Sequence, residues 1–228
     1  MRWYPFVATG SVVVLGTLLL TASALAATIE VHVEHDGKPV VHAVAYATRT
    51  DNESLSRPSS PTAEMDQRDE EFVPHVLPVQ KGTVVHFPNS DETRHHVYSF
   101  SEARTFELRL YEGTNAPPVT FEQTGVVTIG CNIHDWMLGY ILVLDTPAFA
   151  RTDDKGGARL EDLPAGRYRV ELWHPRVSNG REIESRTVQV AAEARTELVY
   201  ELALDSPRTD RGRGFQDDRD SLEEAFGR

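Results

Sequence analysis

Apolar residues alternate with polar ones along much of the chain, and this two-residue period predicts β-strands rather than helices. Near the N-terminus, Ile29, Val31 and Val33 are separated by polar residues, and the turn-forming segment Asp-Gly-Lys-Pro follows at 36–39. A second apolar run covers 40–46. Two such runs joined by a glycine-containing turn predict a β-hairpin.

The central part of the chain has the densest strand pattern. Seven segments there have strand-like composition: 72–79, 83–87, 96–100, 105–111, 119–121, 126–130 and 139–144. In the fourth segment, Phe106, Leu108 and Leu110 should share one face, which is typical of an antiparallel sheet with one solvated side. The two prolines of the first segment favour a sheet edge, because proline cannot donate a ladder hydrogen bond. The number and spacing of these strands predict a β-sandwich.

A further set of strands follows the central part. Turn-forming segments lie at 152–157 and 163–166, and Tyr168, Val170 and Leu172 then alternate with charged residues. The last strands are expected at 187–190 and 196–202. No stretch after the N-terminal segment has sustained helical periodicity, so the predicted fold class is all-β.

The N-terminal segment has the features of a secretory signal peptide. Arg2 supplies a positive charge, residues 12–20 are apolar, and Ala24 and Ala26 match an A-x-A cleavage pattern. The apolar part is shorter than the about 20 residues that span a bilayer. We predict a mature chain that starts near Ala27, has no membrane span and is periplasmic. An uncleaved membrane anchor is the alternative.

Charge and cysteine content narrow the function classes. The formal net charge is −12, and it becomes −13 without residues 1–26, which contain one arginine and no acidic residue. An acidic surface argues against nucleic acid as a partner. Cys131 is the only cysteine, so a disulfide within the chain is impossible. A lone thiol in an oxidising compartment has to be buried or bound to metal.

One short segment concentrates metal-binding side chains. Cys131, His134 and Met137 lie within seven residues, between a predicted strand that ends at 130 and one that begins at 139. A thiolate, two imidazoles and an axial thioether form the ligand set of a mononuclear blue-copper centre, so this loop lacks one imidazole. Structural zinc sites favour more thiolates. No G-x-S-x-G motif or Cys-His-Asn order indicates a hydrolase, and we predict no enzymatic activity.

An upstream segment supplies the second imidazole. A predicted strand ends in Phe-Pro-Asn at 87–89, and His95 follows the asparagine by six residues in a His-x-Val context. This pattern, with Phe-Val-Pro at 72–74 and Lys-Gly-Thr at 81–83, resembles the cupredoxins of the plastocyanin and amicyanin branch. In that family a Phe-x-Asn strand end precedes the first ligand histidine at this spacing. The Cys-x2-His-x2-Met loop is similar to the short ligand loop of amicyanin.

The resemblance covers 63–144 and implies a Greek-key β-sandwich that holds one copper ion, cycling between Cu(I) and Cu(II). The implied ligands are His95, Cys131, His134 and Met137. The family usually has asparagine after the first ligand, where it hydrogen-bonds the two ligand loops, whereas this chain has His96. Because adjacent strand residues face opposite sides, only one of the two histidines should face the metal. Register favours His95, His96 stays the alternative, and Met65 is the alternative axial sulfur. The remaining histidines are expected to be structural or surface residues: His32, His35, His42, His75, His86 and His174.

The outer segments resemble a second family. The turn at 152–157 and Leu-Pro-Ala-Gly at 163–166 resemble the later half of transthyretin-like, carboxypeptidase-regulatory sandwiches, and Gly-Lys-Pro-Val at 37–40 resembles their earlier half. The resemblance implies a small second β-sandwich, a scaffold or docking module, that the cupredoxin-like part interrupts. The predicted organisation is a signal peptide at 1–26, a hairpin at 28–49 that begins the split sandwich, a linker at 50–62, the cupredoxin unit at 63–145, the rest of the transthyretin-like sandwich at 146–203, and a flexible charged tail at 204–228.

These resemblances imply a periplasmic protein that passes single electrons between redox partners through mononuclear copper. The expected partner is a redox protein such as a c-type cytochrome or an oxidoreductase. A periplasmic copper carrier or sensor and a non-redox cell-surface binding module are the alternatives. The arrangement also resembles proteins labelled methylamine-utilisation proteins, but no residue here recognises an amine, so no substrate follows.

Overall fold

The computed structural model describes residues 26–51, 53, 55, 61–177 and 183–206, and all the regular secondary structure in these ranges is β. The strands are β1 (Ala27–His35), β2 (Lys38–Pro39), β3 (Val44–Arg49), β4 (Thr62–Glu64), β5 (Asp66–Arg68), β6 (Glu71–Val73), β7 (Val76–Gln80), β8 (Thr83–His86), β9 (His95–Ser101), β10 (Arg104–Tyr111), β11 (Val119–Phe121), β12 (Gly125–Cys131), β13 (Leu138–Leu144), β14 (Phe149–Arg151), β15 (Gly157–Leu163), β16 (Gly166–Trp173), β17 (Arg186–Val190) and β18 (Arg195–Glu201). The prediction of an all-β sandwich fold is confirmed.

Strands β4–β13 form what we call the inner sandwich. Its larger sheet has the strand order β10-β9-β12-β13-β7, and its smaller sheet has the order β11-β8-β4. Val97 and Ile129 of the larger sheet share one hydrophobic core with Val85 and Phe121 of the smaller sheet. The edge strand β7 carries Pro78, so the predicted edge position of the prolines is confirmed there.

A small hairpin lies against the inner sandwich. Strands β5 and β6 pair antiparallel, and Asp69 and Glu70 close the turn with φ angles of 55° and 60°. Phe72 of β6 is 1% exposed and packs into the inner core. The predicted single strand at 72–79 is therefore two strands: β6 pairs with β5, whereas β7 pairs parallel to β13. The run changes partners at Pro74, where the missing N–H interrupts a ladder.

Strands β1–β3 and β14–β18 form what we call the outer sandwich. One sheet has the order β15-β1-β18, with β2 added to β1, and the other has the order β14-β3-β16-β17. In the first sheet Ile29 pairs with Leu160 on β15 and with Thr196 on β18. Ile29 and Leu160 belong to a second hydrophobic core, which also contains Tyr168 and Tyr200.

Two local patterns differ from expectation. The turn at 36–39 closes only a short hairpin of β1 with β2, and the second apolar run continues as β3 in the opposite sheet. Leu110 is 54% exposed rather than part of the buried face of β10. The β9–β10 ladder shifts register between Leu108 and Tyr111, so Tyr111 is buried in its place. Such a β-bulge reverses the alternation downstream of it.

The two sandwiches share buried contacts. Val44 of β3 packs with Val76 and Leu142 of the inner sandwich in a third hydrophobic cluster. The Arg151 guanidinium donates a hydrogen bond to the Val76 carbonyl oxygen at 3.1 Å. A cleft of about 900 Å³ lies beside this junction and is bordered by residues of both sandwiches. The loop between β12 and β13 forms part of its wall, because Trp136 lines the cleft.

Several predicted segments fall outside the described residues. They are most of the signal peptide (1–25), most of the linker (52, 54 and 56–60) and most of the tail (207–228). Residues 178–182, between β16 and β17, are also outside. Within the described ranges, no helix has the length and apolar character needed to cross a membrane.

Candidate metal centre

The ladder between β9 and β12 fixes the direction of the Cys131 side chain. Gly130 and Cys131 pair with Tyr98 and Val97, respectively. Directly opposed residues of an antiparallel ladder project from the same face, and residues two apart on one strand share a face. His95 lies two residues before Val97 on β9, so its imidazole projects from the same face as the thiol.

The loop between β12 and β13 is closed by its own backbone. The Cys131 N–H donates to the Met137 carbonyl oxygen at 3.2 Å, and the Met137 N–H donates to the His134 carbonyl oxygen at 2.9 Å. These two bonds hold the ends of the loop together. They bring the His134 imidazole back toward the end of β12, where its Nδ1 lies 3.9 Å from Cys131 Sγ.

Three donor atoms from these two segments converge. His95 Nδ1 lies 3.7 Å from Cys131 Sγ and 3.2 Å from His134 Nδ1, and the third edge of the triangle is 3.9 Å. A triangle with these edges has a circumradius of about 2.1 Å, which fits metal–nitrogen and metal–sulfur bonds of roughly 2.0–2.3 Å. The atoms are therefore spaced as three ligands of one first-row metal ion would be.

The donor chemistry narrows the choice of metal. One thiolate with two imidazoles is a set that copper accepts in both of its common oxidation states. His95 is 0% exposed and Cys131 is 3% exposed, so solvent has little access to two of the three donors. Hard cations such as Mg²⁺ and Ca²⁺ prefer oxygen ligands and do not fit this group.

The outer nitrogen of His95 is held by a carboxylate. His95 Nε2 lies 2.7 Å from Asp91 Oδ2, and Asp91 also accepts the backbone N–H groups of Asp69 at 2.6 Å and Glu70 at 3.0 Å. Burial alone would raise the pKa of Asp91, but the hydrogen bonds from Glu70, His95 and Asp69 outweigh it and lower the pKa below its usual value. Because Nε2 faces an acceptor, the Nδ1 lone pair is directed at the cluster.

His134 is closer to the surface than His95. Its Nε2 lies 3.7 Å from the half-exposed Glu70 carboxylate, and its ring centroid is 5.2 Å from that of Trp136. Trp136 is 54% exposed and Ile133 is 45% exposed. The His134 side of the cluster thus opens onto an apolar surface, whereas the His95 side faces the protein interior.

The other predicted ligands occupy different places. Met137 and Met65 are both buried in the inner core, at 1% and 0% exposure, so burial does not separate the two sulfurs. His96 points to the opposite face of β9, where its Nε2 lies 3.0 Å from Glu107 Oε1. Burial is the main reason that the pKa of His96 is lowered.

The remaining histidines lie apart from the cluster. His174 is buried and bonds on both ring nitrogens, to the Val41 carbonyl oxygen at 3.2 Å and to the Arg176 N–H at 3.0 Å. His42 and His75 pack edge to face with ring centroids 5.5 Å apart.

Elsewhere in the described ranges, His35, Asp36 and Glu201 form a surface group whose donor atoms lie within 4.8 Å of one another. The sequence predicts His35 to be a structural or surface residue, and no spacing in it indicates this group.

Sequence reasoning also missed Asp91 and Glu70, which contact the outer nitrogens of the two histidines. Asp91 lies four residues before His95, a spacing that brings a carboxylate near an imidazole only if the intervening loop folds back. Asn89 produces that fold, because its side chain donates to the Thr93 and Tyr111 carbonyl oxygens at 2.8 and 3.0 Å. Glu70 comes from the β5–β6 turn, and no sequence signal places that turn here.

No protein-family model matches the chain, and no curated protein matches it. Several cupredoxin structures align with part of it. A purple cupredoxin from Nitrosopumilus maritimus is 21% identical over 36% of this chain and 99% of its own, with a TM-score of 0.33. An oxidised mutant of amicyanin is 19% identical over 43% of this chain and 99% of its own, with a TM-score of 0.33. A Cu-containing nitrite reductase from Thermus scotoductus SA-01 is 22% identical over 42% of this chain but 25% of its own, with a TM-score of 0.35.

Proposed function

We propose that this chain is a copper protein of the cupredoxin type that carries single electrons. The observation that carries the proposal is the triangle of His95 Nδ1, Cys131 Sγ and His134 Nδ1, whose edges of 3.2–3.9 Å suit one metal ion. Copper bound to such donors exchanges one electron between Cu(I) and Cu(II). Met137 is the proposed axial ligand, on the basis of its position in the loop that carries Cys131 and His134.

The chain holds these donors in place before a metal arrives. Cys131 is fixed by the β9–β12 ladder, His95 by the same ladder and by Asp91, and His134 by the backbone bonds of its loop. β9 and β12 are interior strands of the larger sheet, so each has a neighbouring strand on both sides. A rigid donor set limits the rearrangement that accompanies a change of oxidation state, which favours electron transfer over storage or release.

The surface beside His134 is the proposed contact for a redox partner. His134 approaches the surface next to Trp136 and Ile133, both of which are about half exposed. A redox protein such as a c-type cytochrome or an oxidoreductase would bind there with its own cofactor near the imidazole edge. Large exposed apolar residues next to a functional group are typical of such transient contacts.

The cellular setting and the domain organisation are also proposals. A cleaved signal at 1–26 would place the mature chain in the periplasm, where Cys131 has no disulfide partner within the chain. The pairing of β1 with β15 and β18, and of β3 with β14 and β16, supports a split transthyretin-like sandwich around the cupredoxin unit. We propose that this outer sandwich is a scaffold without catalytic activity.

The test is a titration of the purified mature protein with Cu(II), followed by visible spectroscopy and voltammetry. We expect one equivalent of copper, an intense thiolate-to-copper charge-transfer band and reversible one-electron redox behaviour. Cys131→Ser should abolish the band, because the hydroxyl does not replace the thiolate as a soft ligand. His86→Ala is the matched control, since His86 is exposed on β8 and lies outside the cluster.

The alternatives give different results in the same titration. Tight binding of Cu(I) without a stable Cu(II) form would overturn electron transfer and favour a copper carrier or sensor. Absence of stoichiometric copper in either oxidation state would leave only a non-redox binding module. An unchanged spectrum in Cys131→Ser would contradict the ligand assignment itself.

A further inference from the structure

We propose that Asp91 is a positioning residue that favours oxidised over reduced copper, by holding a negative charge against the outer nitrogen of His95. The inference rests on the proposed function, because it requires His95 to bind copper through Nδ1. It concerns the balance between two oxidation states rather than the presence of the metal.

The contact between the two side chains is close and shielded from water. Asp91 Oδ2 lies 2.7 Å from His95 Nε2, and the side chains are 14% and 0% exposed. The carboxylate can only accept, so Nε2 carries the proton and Nδ1 presents its lone pair to Cys131 and His134. Carboxylate–histidine pairs of this kind orient the ring and raise its basicity as a metal ligand.

Asp91 is itself held by the neighbouring hairpin. Its carboxylate accepts the N–H groups of Asp69 and Glu70, and its own N–H donates to Asn89 Oδ1 at 3.0 Å. Asp69 and Glu70 both adopt the left-handed conformation, which turns two successive N–H groups toward one carboxylate. The charge therefore remains in a fixed position whether or not a metal is bound.

A fixed anion acts differently on the two oxidation states of copper. Attraction scales with the charge of the ion, so Cu(II) gains more than Cu(I) from the same carboxylate. The effect is transmitted through one imidazole that is removed from solvent, where screening is weak. Glu70 faces the other imidazole, but at 3.7 Å and with 45% of its side chain exposed. Its contribution should be small, as for other exposed ion pairs.

The decisive variant is Asp91→Asn, which keeps the size of the side chain and removes the charge. An amide nitrogen cannot accept the proton of Nε2, and an amide oxygen turned toward His95 leaves the hairpin N–H groups with one fewer acceptor. We expect Cu(II) affinity to fall about 10- to 100-fold and Cu(I) affinity to fall less than about threefold. The reduction potential should then rise by about 59 mV for each tenfold change in the ratio.

Two further variants separate charge from structure. Asp66→Asn makes the same change at a buried carboxylate of the β5–β6 hairpin, which bonds to Ser90 and Arg68 and has no hydrogen bond to His95, Cys131 or His134. It should lower stability without changing the potential. Glu70→Gln removes a charge near His134 and should shift the potential by less than about a third of the Asp91→Asn shift.

A measurement on the unmodified protein keeps the inference testable if Asp91→Asn does not fold. In the diamagnetic Cu(I) form, proton–nitrogen NMR should show a downfield Nε2–H of His95 that exchanges slowly with solvent. A fast-exchanging or absent Nε2–H would overturn the inference, as would an Asp91→Asn potential equal to that of the wild type or of Asp66→Asn. If the wild type binds no copper, the proposed function fails and the inference fails with it. If the wild type binds copper and Asp91→Asn keeps its potential, the inference fails alone.

Discussion

Gly139 occupies a position where a single methyl group should disturb both the hydrophobic core and the loop that carries the proposed ligands. It lies in β13, two residues after Met137, and pairs with Ile129 of β12. A Cβ built at Gly139 would lie 2.9 Å from the Cβ of Phe72 and 3.1 Å from Cγ1 of Ile129. Phe72 is 1% exposed, so it has no solvent-filled space into which to move.

The expected cost of Gly139→Ala follows from this overlap. Carbon atoms in contact settle at about 3.5–4.0 Å, so the added methyl group would be too close to Phe72 by roughly 0.6 Å or more. Overpacking of this kind in a filled core costs about 1–3 kcal/mol. For a protein of this length the cost corresponds to a fall in Tm of roughly 2–4 °C for each kcal/mol.

The displacement should also reach the metal centre. Phe72 belongs to β6, and the turn before β6 supplies the N–H groups of Asp69 and Glu70 that hold Asp91. Shifting Phe72 therefore loosens the support of His95 from a distance. We expect the copper-loaded variant to show a broadened or shifted charge-transfer band in addition to its lower Tm.

Thermal and urea unfolding of Gly139→Ala, compared with wild type and Gly157→Ala, is the appropriate assay. Gly157 is the matched control, because a Cβ there would meet its neighbours at ordinary distances of 3.4–3.7 Å. Its replacement should be neutral or stabilise the fold by up to about 1 kcal/mol. A free energy of unfolding for Gly139→Ala within about 0.5 kcal/mol of wild type would refute the packing argument.

Three further predictions address the ligands, the core and pH. His95→Ala should eliminate the thiolate-to-copper band while His96→Ala keeps it, and the reverse result in the visible spectrum would exchange the two assignments. Tyr111→Phe should lower the free energy of unfolding by about 1–3 kcal/mol, because the buried hydroxyl donates to the Phe87 carbonyl oxygen at 2.7 Å; an unchanged urea midpoint would contradict this. Burial, together with neighbouring cationic groups, lowers the pKa of His174 from 6.5 to about 4. The neutral form therefore stabilises the fold fully above pH 6.5, and this stability is lost as the pH falls toward 4. Urea titrations of wild type and His174→Gln across this window should diverge by on the order of 2 kcal/mol at the acid end, and parallel curves would exclude His174 as the cause.

Local sequence patterns predicted the positions of the strands better than they predicted which strands pair with each other. The segment at 119–121 coincides with β11, and most other predicted strands agree with the structure to within one or two residues. Errors arose where tertiary contacts decide the outcome. The run at 72–79 divides because β6 and β7 belong to different sheets, and Leu110 is exposed because a bulge shifts the register of β10. Neither difference can be recognised from the alternation of apolar and polar residues in the sequence.

Part of the candidate site was likewise predictable from the sequence, and part was not. The thiol and one imidazole were predictable, since Cys131 and His134 lie on one short loop whose spacing limits their separation. Strand alternation predicted that only one of His95 and His96 faces the metal, and the register after Asn89 favoured His95. The observed pairing of Cys131 with Val97 places the His95 imidazole on the thiol's side. Asp91 was not predictable, because its contact with His95 requires a fold of the intervening loop that depends on buried bonds of Asn89 to distant strands.

There is a physical reason why the donor residues were predictable and the carboxylate beside them was not. Donor identity is a property of single residues, and donor geometry is a property of one ladder and one loop. Both are therefore encoded within a few positions of β9, β12 and the loop from β12 to β13. The charge beside the donors comes instead from Asp91 in the loop between β8 and β9. Asp91 is held by N–H groups of the β5–β6 hairpin and contributes no donor atom to the cluster. For the proposed copper centre, substitution of Asp91 should alter the potential without altering the ligands, whereas substitutions in the β9–β12 ladder should alter both. Variation at Asp91 is therefore expected to tune the proposed centre while its donor set stays intact.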